Sequence, residues 1–226
     1  MDIFHDPTLA FPIFLTLKTC IAALLLFLLA GPPLALWISR SDSPVCRCVS
    51  FIVTLPLVFP PIALGYMLLV LLGRMGPFGG VFEALGIKIV FTQTGVCLAA
   101  FVAGLPLVVR PLQAVFAGGD LRRLEQAARV TGCGSFKTFL FVTLPLARDT
   151  LASGLLLAAA RASGEVGVTM MLGGNIAGRT NTLSLEIFNC VSRGDFDQAG
   201  QLCMLLAAVG LLLYLALEKL QRKKES

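Results

Sequence analysis

Two ionisable side chains, Arg161 and Glu165, stand four residues apart in an otherwise apolar stretch. On a helix that spacing puts them on one face, where they can pair. Ionisable groups inside apolar spans mark ion paths, relays or internal ion pairs. A lone arginine would attract an anion and the glutamate beside it would repel one. Mutual pairing is therefore expected, with the capacity to gate a path if the pair breaks. Downstream, Thr169, Asn175, Thr180, Asn181 and Thr182 carry hydroxyl and amide donors of the kind that line wet polar paths. The same residue types cap helices and close turns, and both readings stand at this point. Catalytic chemistry is poorly supplied. The only histidine is His5, the apolar runs hold no carboxylate pair, and no Gly-rich loop ends in Gly-Lys-Thr/Ser. An intramembrane enzyme is excluded on these grounds, no catalytic residue is expected, and the chain does not hydrolyse ATP itself. Of seven cysteines only Cys46 and Cys48 are close, with no second pair or histidine cluster to complete a metal site. Cys20, Cys97 and Cys203 fall in apolar runs as small hydrophobes, and no disulfide framework is implied.

The elements that hold these residues are apolar. Of 226 residues, 57% are hydrophobic and 14% charged, with a mean hydropathy of +0.87. A soluble domain carries about a quarter charged residues. Five runs approach the length needed to cross a bilayer: Ile13 to Ile38, Val49 to Leu72, Ile89 to Val109, from after Pro145 to about Met171, and Ala199 to Leu217. The fold class is thus all-α, a polytopic transmembrane bundle forming one domain over residues 1–226. Lys18 can snorkel, and Pro56, Pro60 and Pro61 should bend the second span. The net charge of +5 does not indicate nucleic acid, because the basic residues sit between apolar runs without aromatic interleaving. They follow the positive-inside rule instead. Arg40, Arg47, Arg110, Arg122, Arg123, Arg129 and Lys137, with Lys219, Arg222, Lys223 and Lys224, fall on one side. That side is read as cytoplasmic, with the C-terminus inside and the N-terminus outside. Asp2, His5 and Asp6 precede the first run, where a cleavable signal would be basic. Cys190 is the one cysteine expected to face outside.

The loop after the third span reads Leu124-Glu125-Gln126-Ala127-Ala128-Arg129-Val130-Thr131-Gly132, and nine residues later comes Val142-Thr143-Leu144-Pro145. Gly118-Gly119 gives a flexible entry, Asp120 can cap a helix, and Leu121, Leu124 and Ala128 recur as an apolar stripe. Gly132 can end that helix and Ser135 can cap the next. The product is a short helix presenting small residues, with charges on its flanks. This loop, about residues 118–145, resembles the signature loop of ABC importer permeases: Glu-Ala-Ala, three residues, Gly, nine residues, Ile, one residue, Leu-Pro. Gln126 stands where that pattern has Glu, with Glu125 beside it, and Val142 stands for Ile.

The resemblance implies a type I importer permease whose coupling helix docks on a separate ATPase. It carries Glu125, Gln126, Ala127, Ala128, Gly132, Leu144 and Pro145 as coupling residues. A second stretch, Gly164-Glu165-Val166-Gly167-Val168, then Gly174-Asn175-Ile176-Ala177-Gly178-Arg179-Thr180-Asn181-Thr182, is similar to the molybdate, tungstate and sulfate permeases. Leu64-Gly65-Tyr66 with Gly73-Arg74-Met75-Gly76-Pro77-Phe78-Gly79 resembles the molybdate branch. Sulfate permeases carry extra N-terminal spans not seen here. Val166, Ala177 and Ser184 depart from the pattern. The implied function is translocation of a tetrahedral oxyanion, molybdate or tungstate, across a bacterial or archaeal inner membrane. The alternatives are a sulfate or thiosulfate permease and a passive anion channel, which leaves the coupling loop unexplained. The implied partners are two ATP-binding cassette subunits, an extracytoplasmic oxyanion-binding protein, a second copy of this chain and membrane lipid. The path or gate would include Arg161, Glu165, Thr169, Asn175, Thr180 and Thr182. No cofactor is expected on this chain, since ATP and Mg belong to the partner, and no metal site.

Overall fold

The computed structural model describes residues 7–222, all helix and connecting loop. Asp2, His5, Asp6, Lys223 and Lys224 lie outside the described residues. The first span is α1, Pro7–Arg40, roughly 50 Å long at about 1.5 Å per residue. It outreaches a hydrocarbon core of about 30 Å. The third is α5, Gln93–Ala117, capped by Thr92, whose hydroxyl accepts from Gly95 N–H at 3.4 Å. It does not end at Arg110, as the charge pattern suggested, but runs on to Ala117. Arg110 is accommodated because its guanidinium reaches sideways to Ser50 and Gln113, at 3.1 Å each.

The second span is broken. α2 (Pro44–Val58) and α3 (Pro61–Leu72) flank Phe59 and Pro60. Proline lacks the N–H that would continue a helix and restricts the residue before it. Of the three prolines there, Pro56 stays inside α2, and Pro60–Pro61 make the break. A short α4 (Gly79–Ala84) follows on the loop to α5.

The loop after α5 folds as α6 (Gly119–Val130), α7 (Ser135–Thr138), a π turn over Phe139–Thr143, and α8 (Leu144–Leu146). Leu144 N–H bonds Phe139 O, the wide spacing of a π turn. Pro145, without an N–H, cannot restore the α spacing. The chain then turns by 72° into α9, Arg148–Ser163. The expected fourth span therefore starts after Pro145 but breaks again before α10, Gly167–Gly173. Amphipathic α11 (Leu183–Arg193) and the last apolar helix α12 (Phe196–Arg222) complete the chain.

Among the described residues, α1 and α5 alone are each long and apolar enough to cross a membrane unbroken, and the α7–α9 pair adds a bent third. The other expected spans are shorter apolar pieces: α2, α3 and the Phe196–Leu212 part of α12. The core lies where α1, α5 and α9 meet, around Phe27, Val108, Leu112, Phe116 and Ala158. Phe27 stacks on Phe101 with ring centroids 5.5 Å apart. Small residues bring these helices close, as lipid-embedded interfaces require. A methyl on Gly104 would sit 3.0 Å from Ala158 O, and one on Gly154 3.1 Å from Leu107 O.

A second close crossing joins α3 to α10. A Cβ on Gly65 would lie 2.9 Å from the Val168 Cα and 2.8 Å from the Met171 Cβ. One on Gly167 would lie 2.7 Å from the Pro61 Cβ. Gly65→Ala should therefore cost about 1–3 kcal/mol through overpacking, whereas Gly80→Ala, with nothing within 4 Å, should be neutral. Thermal unfolding of the detergent-solubilised protein measures both, and equal melting temperatures would refute the tight crossing.

Candidate functional site

Two sites emerge, one at each end of the broken fourth span. The first is built around α6. Its N-cap is Gly118, without a side-chain bond, so Asp120 does not cap it and sits instead in the first turn. An acid there still suits the helix dipole. The far end closes as expected at Gly132. Its φ is +90, and Cys133 N–H reaches Ala128 O at 3.1 Å while Gly132 N–H reaches Arg129 O at 3.0 Å. Those are the paired bonds of a Schellman cap. Ser135 is the first residue of α7 and makes no cap, because Gly134 holds that position.

The inward face differs from the apolar stripe of Leu121, Leu124 and Ala128. Leu121 and Glu125 are buried and Ala128 half-buried, while Leu124 is 49% exposed. Glu125 turns inward because two partners await it. One carboxylate oxygen pairs with the Arg40 guanidinium at the end of α1, and the other accepts from the Thr143 hydroxyl at 2.6 Å. Arg122 adds a bond to the Ser39 carbonyl at 3.1 Å. Glu125 thus ties α1, α6 and the π turn together around a cavity of about 400 Å³. The sequence offered no signal for this, since Arg40 lies 85 residues away. Gln126 and Ala127 are exposed, Gln126 at the edge of that cavity, and the apolar Leu124, Val130 (89% exposed) and Phe136 (76%) are exposed too. Leu144 and Pro145 stand at the bend into α9.

The second site is the break between α9 and α10. Arg161 is the penultimate residue but one of α9, and Glu165 lies beyond the helix end. The pair forms, Arg161 Nη1 to Glu165 Oε2 at 2.5 Å, in contact but not aligned as a hydrogen bond. It is not made along one continuous helix face. The other Glu165 oxygen accepts from Val168 N–H at 2.8 Å, holding the first turn of α10. Thr169 is buried on α10.

The loop donors are used at home. Thr180 Oγ1 accepts from Ile176 N–H at 2.9 Å, Asn181 Oδ1 accepts from Gly178 N–H at 3.0 Å, and Thr182 caps α11. Asn175, held at φ 48, pairs with Asn189, whose amide also donates to Glu186. Burial raises the Glu186 pKa, but bonds from Asn189, Arg193 and Asn181 outweigh it and leave the carboxyl below its ordinary value. Cys190, expected to face outside, is fully buried beside Gln198 and Arg193.

Residues 29–223 match the family described as binding-protein-dependent transport system inner membrane component. The chain belongs to this family. It is 37% identical to the molybdenum transport system permease protein ModB of Azotobacter vinelandii, over 93% of each chain. It is 34% identical to the chloroplastic sulfate permease 2 of Chlamydomonas reinhardtii, over 91% of this chain and 56% of that one. The fold is that of a chain in the crystal structure of a bacterial alginate ABC transporter, with TM-score 0.77, 18% identity, and coverage of 98% of this chain and 81% of that one. The chain is therefore a multi-pass inner-membrane transport component.

The Glu125 clamp makes a measurable claim. Glu125→Ala should destabilise the fold by about 2 kcal/mol, because it strands a partly buried arginine and leaves the Thr143 hydroxyl only its longer bond to Thr138 O at 3.4 Å. Thr143→Val should cost about 1 kcal/mol. The double variant should cost less than the two together, since they share one network. Strict additivity in detergent unfolding would show that the two side chains act apart.

Proposed function

We propose that this chain is the permease subunit of an ATP-driven importer for a tetrahedral oxyanion, with molybdate first and tungstate beside it. ATP hydrolysis falls to a separate ATP-binding cassette subunit, and an extracytoplasmic binding protein delivers the anion. The ModB relatives match this chain and their own length almost end to end, whereas the sulfate permease is matched over only 56% of its length. Sulfate is accordingly the second reading.

The observation that carries the mechanism is α6, exposed outside and clamped inside. On this reading Gln126 and Ala127 meet the ATPase, with Ala128 and Gly132 shaping the helix and its end. Glu125, through Arg40 and Thr143, passes a displacement of α6 to α1 and to the bend at Leu144–Pro145. The bend leads into α9, at whose other end Arg161, Glu165 and Thr169 form the gate. Asn175, Thr180 and Thr182 hold the loop beyond it in shape. One chain presents one such helix, so two copies of this chain with two ATPase subunits make a closed twofold assembly.

A bulky residue on the exposed face tests docking without disturbing the clamp. Ala127→Trp should abolish uptake of labelled molybdate and pull-down of the ATPase, while expression and melting temperature stay at wild-type values. Gly132→Leu is a poorer probe, because its positive φ strains any side chain. Full uptake and full ATPase binding by Ala127→Trp would reduce α6 to a connector.

The α6 end is proposed to be cytoplasmic, with the N-terminus outside. Exposed Cys48 and Cys133 should then resist an impermeant maleimide on intact cells and react after permeabilisation. Cys190 should stay silent in both, being buried. Labelling of Cys133 from outside would invert the orientation.

A further inference from the structure

Arg110 is an anomaly that the transport reading leaves unused. It lies within α5, seven residues before the helix ends at Ala117, on an exposed side of the bundle. A charged side chain at membrane depth is costly unless it is paired or reaches the interface. Its bonds here go to neutral oxygens only, those of Ser50 and Gln113. Arg47, on the first turn of α2, lines the same cleft. Its Nε and Nη2 both donate to the Asp42 carbonyl, at 3.2 and 3.1 Å. Among the described residues neither arginine joins an ion pair.

The cleft is about 300 Å³, bounded by the end of α1, the start of α2 and α5. Its lining combines polar residues, the two arginines with Asp42, Ser50 and Gln113, and apolar ones, Ile38 and Phe51. Phe51 is 65% exposed, and its neighbour Ile52 is exposed as well. Headgroup chemistry and acyl-chain chemistry therefore meet in one place. Arg47 stands in the first turn of α2, where the charge pattern puts the membrane surface.

We propose that this cleft binds the phosphate of an anionic glycerophospholipid, with Arg47 and Arg110 as its ligands and an acyl chain laid along Phe51. Charge favours a lipid over the transported anion. Two arginines and Asp42, which also lines the cleft, leave one net positive charge. A phosphodiester carries one negative charge and neutralises it, whereas a free dianion would overshoot and meet Asp42. The geometry also gives a fixed lipid a task, since it would join α2 to α5 beside the clamp that Arg40 makes with Glu125.

The test is lipid retention by the detergent-solubilised transporter, read by native mass spectrometry with added phosphatidylglycerol or phosphatidylcholine. The wild type should retain phosphatidylglycerol in preference, and its melting temperature should rise with that lipid alone. Arg47→Gln with Arg110→Gln should weaken retention about 30-fold, at roughly one decade or less per arginine. Arg47→Lys with Arg110→Lys should preserve most of it, since a lipid phosphate accepts either cation. Should the double glutamine variant fail to express, Arg110→Gln alone should still lose the lipid-dependent rise in melting temperature. Unchanged retention in the glutamine variants overturns the proposal. So does a melting-temperature rise with molybdate or inorganic phosphate that needs both arginines, because the cleft would then hold a free oxyanion. Loss of molybdate uptake in Ala127→Trp bears only on coupling and leaves this site untouched.

Discussion

A bilayer offers no water to a backbone N–H or C=O, so a chain that interrupts its helices within it must satisfy the freed groups itself. This chain interrupts them twice, and both breaks are arranged around that demand. At the first, Phe59 N–H still reaches Leu55 O at 2.8 Å, and the next two residues are prolines with no N–H to strand. At the second, side chains do the work. Glu165 takes the Val168 N–H at 2.8 Å, and Ser184 donates to Ser163 O at 2.6 Å. Thr16, from α1, accepts from Leu183 N–H at 2.8 Å while donating to Pro12 O at 2.8 Å. Glu165 would be an expensive residue to bury for pairing alone. Its second oxygen on the α10 backbone makes it part of the fold.

The two breaks also explain the close crossing of α3 and α10. Each is a short helix freed from its own span, and each depends on the other for burial. Gly65 and Gly167 let the backbones meet, and Leu64, Ala99 and Val168 fill the space around them. At the other end of the fourth span the π turn and Pro145 make a third departure from regular helix. Here the freed geometry is braced by Thr143 on Glu125. α6 is thus bonded through Glu125 both to Thr143, just before that bend, and to Arg40 at the end of α1. The helix ends are therefore tied by named bonds, rather than by loop tension.

Much of this was legible in the residues. Apolar run length located the two unbroken spans, the three prolines of the second run announced its bend, and Gly132 ended α6 as a glycine with positive φ should. The Arg161–Glu165 spacing announced a pair. The remainder was set by distant partners. Glu125 reads as a surface charge until Arg40 and Thr143 arrive from 85 and 18 residues away. Arg110 reads as the end of a span because charge ordinarily stops one, yet Ser50 on α2 lets the helix continue. Cys190 reads as accessible because its loop lies outside the apolar runs, yet α12 covers it with Leu202 and Ala199. In each case local pattern gave the residue type and tertiary packing gave its direction.

Glu125 and Gln126 separate two roles that the family pattern leaves side by side. Glu125 is buried, and its charge is required by Arg40. A glutamine there would leave the guanidinium without its carboxylate and could answer the Thr143 hydroxyl only as a neutral acceptor. Position 126 is exposed at the edge of the cavity that Arg40 and Glu125 share, and the Arg40 charge is already met by Glu125. The departure from Glu-Ala-Ala therefore falls on the one acidic position of the pair that the internal architecture can spare. Any consequence must appear in contact with a partner, as a lost charge–charge attraction across an exposed surface. Such attractions are weak and screened by salt. The small side chain of Ala127 matters more there, because steric fit survives salt where a rim charge does not.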